Sequence, residues 1–139
     1  RFFRVRDAEK LLFLWATHRN LMSDIRYTTR TKSTIMDMEG SMPPSAIFGA
    51  FSAYRLAKNN APADYDTLYI YSADVSEMQK RFPKLKGRPN LIVLKQDAFL
   101  SDYGQTTPDV QTFVDIWNLQ EWYAKDFLES LKKSLFPTA

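Results

Sequence analysis

Hydrophobic and polar positions follow two periods along this chain, and the changes of period mark its elements. Arg1 to Arg6 alternates, Phe3 and Val5 against Arg4 and Arg6, the pattern of a short edge strand. Asp7 then stands as a helix N-cap. Ala8, Leu11, Leu12, Trp15 and Met22 share one stripe of a helix running to about Leu21. From Asp24 the period drops to two: Ile25, Tyr27 and Thr29 face one way, Arg26, Thr28 and Arg30 the other, as in a half-exposed strand. Met36 to Met42 has no clear period and is broken by Gly40. Pro43-Pro44 predicts a helix start, with Ser45 to Lys58 apolar and small enough for a buried helix that ends at Asn59-Asn60 and Pro62. Thr67 to Tyr71 and Leu91 to Leu94 are apolar on both faces, which predicts interior strands.

The remaining elements are helices. Asp74 caps a short one through Arg81. Thr107 caps another, with Pro108 at its first position and Val110, Phe113, Val114 and Trp117 on its apolar stripe. After the break at Asn118, Ala124, Leu128, Leu131 and Leu135 recur at helical spacing. Helices alternating with buried strands predict an α/β (α+β) fold, a mixed sheet flanked by helices, with two helices at the C-terminal end.

Composition narrows the class. A chain of 139 residues with 45% hydrophobic and 25% charged residues is one globular domain with a real core. At 14% aromatic residues, that core rests on rings as well as aliphatic side chains. No apolar run reaches the roughly 18 residues of a membrane span, and an acidic, amphipathic stretch stands where a signal peptide would be apolar. The absence of cysteine excludes disulfides and thiolate metal sites and fits a reducing, cytoplasmic setting. The net charge of +3 admits an anionic partner without requiring one. The first residue is Arg1 and not Met, from which we expect a further N-terminal domain.

The chemistry concentrates between Ser45 and Ser72. Gly49 opens a small-residue helix, and Asp64 and Asp66 then lead into an apolar strand. On a strand, residues two apart share a face at about 7 Å, so two carboxylates there can hold Mg²⁺ together with substrate phosphates. The alternative is a polar turn: Ala61-Pro62-Ala63-Asp64 is good turn chemistry, and Asp66 can serve the strand entry.

This layout resembles the nucleotidyltransferase superfamily, whose hydrophobic-Gly-Gly/Ser signature precedes an Asp-x-Asp/Glu pair at a strand start. The resemblance implies Gly49 and Ser52 as nucleotide-binding candidates, and Asp64 and Asp66 as metal ligands and catalytic candidates. Asp97, in the turn after the second buried strand, is the nearest candidate for the third carboxylate. Ala50 stands where the second glycine or serine belongs, and Leu91 to Leu94 carries no acid, so the pattern supports the fold better than the activity.

Over most of its length the chain is similar to the C-terminal domain of AbiEi-like antitoxin regulators of type IV toxin–antitoxin systems. The similarity lies in the helix around Gly49 to Ala53, the strands at Leu68 to Tyr71 and Asn90 to Leu94, and Thr107-Pro108-Asp109 through Thr112 to Asp115-Ile116. It implies a degenerate nucleotidyltransferase-like domain, preceded by a winged helix-turn-helix, that regulates transcription. The implied partners are a cognate nucleotidyltransferase-like toxin and DNA, with no cofactor. The alternative is an active nucleotidyltransferase, with Mg²⁺ on Asp64 and Asp66.

Side chains outside that centre also offer candidate roles. Lys80, Arg81, Lys84, Lys86 and Arg88 crowd a loop broken by Pro83, Gly87 and Pro89, and are candidates for nucleic-acid or partner contact. Arg26, Arg30 and Lys32 give the early strand a positive face. His18, the only histidine, is expected at the edge of the core between Trp15 and Met22. Trp117, Trp122, Tyr123 and Phe127 are expected in the core, Asp109 in a first helical turn and Asp115 on a solvent face.

Overall fold

The computed structural model describes residues 5–97, 100 and 104–137. Its elements are α1 (Val5–His18), a 3-10 turn (Leu21–Asp24), β1 (Ile25–Thr29), α2 (Ile35–Gly40), β2 (Ile47–Gly49), α3 (Ala50–Lys58), β3 (Leu68–Ser72), α4 (Val75–Arg81), β4 (Leu91–Lys95), α5 (Asp109–Trp117) and α6 (Ala124–Leu135). The strands form one mixed sheet in the order β1-β4-β3-β2. β3 and β4 are parallel, and both outer pairs are antiparallel. Parallel neighbours need a crossover, and α4 with the loop after it supplies one.

Alternation along the interior strands divides the core. Tyr69, Tyr71 and Leu94 join a cluster with Leu12, Phe51, Phe113 and Phe127 from α1, α3, α5 and α6. Leu68, Ile70, Leu91 and Val93 join a smaller one with Met38, Met78 and Phe82 beneath α2 and α4. Aromatic rings set the first cluster, as the composition predicts: Phe51 meets Tyr123 and Phe127 edge-on at 4.8 and 4.9 Å. The expected fold class is therefore the observed one, a mixed sheet covered by helices on both faces.

Local chemistry placed most boundaries. Asp74 accepts the amide of Glu77 at the start of α4, and Asn59 takes the left-handed cap of α3 with φ 62. Three expectations are corrected. The run of Val5 and Arg6 belongs to α1 rather than to an edge strand, so Asp7 lies in the first turn and is not the N-cap; residues 1–4 lie outside the described residues. The helix expected from Ser45 starts only at Ala50, because Ile47–Gly49 pairs with Tyr69–Tyr71 as β2. The buried stripe of α1 runs through Leu12 and Ala16, leaving Leu11 and Trp15 54% and 42% exposed, and His18 exposed too.

The β2–α3 junction is tight. Gly49 has an ordinary extended backbone, but a Cβ there would stand 2.9 Å from the Tyr71 ring, so its requirement is steric. Ala50 takes the left-handed region with φ 50, which a side chain seldom adopts. Tyr71 is held at its far end by hydrogen bonds and cannot swing away. Gly49→Ala is therefore expected to lower the unfolding free energy by about 1–3 kcal/mol. Urea denaturation checks this, and an unchanged midpoint would show that the Tyr71 ring gives way.

Candidate functional site

Parallel pairing decides which acids can meet. Leu68 to Ser72 pairs in register with Leu91 to Lys95, so Asp64 and Asp66 lie before one end of the sheet and Asp97 beyond the other. At about 3.3 Å per strand residue, that places Asp97 on the order of 15 Å or more from the acidic pair. The three do not converge. Beside the entry to β3 the neighbouring strand presents Asn90, whose carboxamide is spent on Thr31: Oδ1 accepts its amide at 2.8 Å and Nδ2 donates to its carbonyl at 3.1 Å. Asp66 itself accepts from Thr67 Oγ1 at 3.0 Å and Tyr123 Oη at 2.9 Å, while Asp64 is exposed. Among the described residues no group of three potential metal ligands comes together.

The nucleotide-binding candidates are interior. Gly49 faces the Tyr71 ring. Ser52 is buried and donates to Glu39 Oε2 at 2.6 Å. Glu39, buried without warning from the sequence, also accepts from Tyr65 Oη at 2.6 Å and Arg55 Nη2 at 2.5 Å. Burial and the Glu39 bond push the Tyr65 hydroxyl up to about 12, so it stays a donor. This network ties α3 to α2, with Ser52 buried inside it.

The basic residues, by contrast, are brought together. The loop after α4 folds along the outer side of β1, tied by Tyr27 Oη to the Phe82 carbonyl at 2.7 Å, Thr29 Oγ1 to the Pro83 carbonyl at 3.0 Å and the Leu85 amide to Thr29 Oγ1 at 2.9 Å. Lys84 Nζ donates to the Thr28 carbonyl at 2.5 Å, covering part of a strand edge that no other strand pairs. Arg30 donates to the Arg88 carbonyl at 3.4 Å, and Arg30, Lys32 and Lys86 line an open cavity of about 480 Å³ with Ser33 and Leu85. Arg81 reaches the Ser41 carbonyl at 3.0 Å, and Lys80 is exposed beside it. Arg26 lies at the other end of β1, bonded to the carbonyls of Ser23 and Ile25. Arg4 and Arg6 fall where no side chain is described.

A second cluster was not foreseen. Asp115, expected at the surface, is 1% exposed and sits against Tyr71. It accepts from Tyr71 Oη at 2.5 Å, Gln111 Nε2 at 3.2 Å and Arg19 Nε at 3.5 Å. Arg19 also donates to Asp24 at 2.6 Å. Thr112 likewise turns inward, its hydroxyl 2.7 Å from that of Thr107, and Pro108 rather than Thr107 takes the cap position of α5. Other aromatic expectations divide: Tyr123 and Phe127 are buried, whereas Trp117 is exposed and Trp122 is 80% exposed. Asp109 lies in the first turn of α5 as expected, 2.5 Å from Lys58 Nζ.

Compared with family models, curated proteins and solved structures, the chain has no match. Its chemistry rests on its own geometry. No helix among the described residues is long and apolar enough to cross a membrane.

Burial drives the Asp115 carboxyl up to about 6, partly offset by the Tyr71 bond and the Arg19 charge. A value above that of the unfolded chain means that the folded state holds the proton more tightly. The stability this contributes is complete below about pH 4 and is lost as pH rises through about 6. Compared with Asp115→Asn, the wild-type protein is expected to lose roughly 3 kcal/mol between about pH 4 and pH 7. Denaturant titrations of both proteins across that range measure the difference, and a flat or inverted difference would contradict the burial of the charge.

Proposed function

We propose that this chain is a catalytically silent domain on a nucleotidyltransferase-like scaffold, of the kind found in AbiEi-like antitoxin regulators. In this reading it works inside the cytoplasm by binding, and its basic side contacts the phosphate backbone of nucleic acid. The observation that carries the reading is a segregation of charge. Residues 25–36 and 78–96 hold nine Lys and Arg and no carboxylate, while the rest of the chain has ten cations against 16 Asp and Glu, a net −6. Pairing of β1 with β4 and the tethered loop bring the two acid-free stretches together, with Arg26 and Lys95 at the end of the sheet remote from the loop. None of the nine forms an ion pair with a carboxylate among the described residues. Such a surface releases counterions when phosphates replace them.

Catalytic silence is supported by the separation of Asp97 from Asp64 and Asp66, by Asn90 beside the β3 entry, and by the sealed Ser52. Mg²⁺ has no role in this reading. A cognate nucleotidyltransferase-like toxin is the protein partner that the same resemblance implies.

Fluorescence anisotropy with a labelled DNA duplex tests the reading. The affinity should fall steeply with salt, and joint reversal of Lys84, Lys86 and Arg88 to Glu should lower the slope of log affinity against log salt by roughly 3. Asp64→Ala and Asp66→Ala should leave the affinity unchanged, with no nucleotidyl transfer from any nucleoside triphosphate in Mg²⁺. A salt-independent affinity, or Mg²⁺-dependent transfer lost in the two Asp variants, would overturn it.

A further inference from the structure

A separate cavity lies at the carboxyl ends of the parallel strands β3 and β4, the end remote from Asp64 and Asp66. Its volume is about 220 Å³, below the roughly 300–1,000 Å³ of sites for drug-sized ligands. Trp15 and Leu100 supply apolar wall; Arg19, Asp24, Lys95 and Gln111 supply polar wall, together with Asp97 and the Tyr71 hydroxyl above the buried Asp115.

The polar groups differ in what they have left to offer. Arg19 is held between Asp24, Asp115 and Tyr71. Asp24 uses only Oδ2 for that pair, leaving Oδ1 open. Gln111 spends its Nε2 on Tyr71 and Asp115, leaving Oε1 open. Lys95 is exposed and makes no hydrogen bond or ion pair among the described residues. Acceptors on Asp24 and Gln111 and the Lys95 cation therefore line one cavity with the apolar Trp15 and Leu100, Asp97 lying on the same wall.

We propose that this cavity binds a small zwitterion of the α-amino-acid type with an apolar side chain. The ammonium group donates to Asp24 Oδ1 and Gln111 Oε1, the carboxylate meets Lys95, and the side chain lies against Trp15 and Leu100. The rigid floor suits recognition. Tyr71 is fixed by Asp115 and by the close approach of Gly49, so the walls need little reordering when a ligand enters. The site lies apart from the Lys84 to Arg88 loop, and Lys95 is the one residue it takes from the cations counted above.

L-leucine is a suitable probe, with leucinamide (no carboxylate) and N-acetyl-L-leucine (no ammonium) as controls. Amide NMR spectra of the whole chain should shift saturably at Trp15, Asp24, Tyr71, Lys95 and Gln111. Each control, and Lys95→Gln with L-leucine, should bind about tenfold more weakly, the loss expected for one charge-assisted contact. Lys95 is exposed, so that variant keeps the fold. No shift up to about 10 mM, well above the Kd of 1 mM that corresponds to only about −4 kcal/mol, would overturn the proposal. Equal binding of either control would overturn it too, as would shifts centred on Leu11, Leu135 and Phe136, which line the neighbouring apolar cavity.

Discussion

The parallel pairing of β3 with β4 is the constraint from which the rest of the molecule follows. A parallel pair cannot be closed by a tight turn, so the chain must cross over, and α4 with the loop through Arg88 is that crossing. The same pairing sends everything after β4 to the far end of the sheet. Asp97 is thereby kept from Asp64 and Asp66, and their end of the sheet holds Asn90 instead. One register thus sets the crossover loop beside β1 and takes the third carboxylate away from the pair.

The second organising interaction is the bond from Tyr71 to Asp115. It joins the centre of the sheet to α5, and Arg19 extends it to the end of α1 and to Asp24. A buried carboxylate is costly, and replacing such networks by apolar groups often stabilises a protein. Here the network also positions the Tyr71 ring against Gly49, so the β2–α3 junction and the floor of the small cavity rest on the same side chain. This links the backbone strain at Ala50, the glycine before it and the titration of Asp115 within one region of the fold.

Much of the fold was legible in the sequence because its signals were local. The uninterrupted apolar runs of β3 and β4 reflect cover on both faces, and the caps at Asp74 and Asn59 are set by their own neighbours. What was not legible depends on distant partners. Ile47, Phe48 and Gly49 carry no period, and pairing with Tyr69 to Tyr71, with a bridge from Phe48 to Thr106, makes them a strand. Helix α1 has two apolar phases, and packing selects Leu12 and Ala16 over Leu11 and Trp15. Asp115 reads as a surface acid until Tyr71 and Arg19, from other elements, are placed around it. The basic loop was visible in composition, but its union with Arg30 needed the β1–β4 register.

The molecule therefore combines a mixed sheet whose acids do not assemble with a cationic loop that folds against β1. In the functional account, binding along β1 and the crossover loop replaces catalysis at the acidic pair. Amide NMR mapping with a short DNA duplex tests that claim most directly. The account predicts shifts concentrated on residues 28–33 and 81–88, fading as salt is raised. Shifts centred on Gly49, Asp64 and Asp66, or none at all, would contradict it.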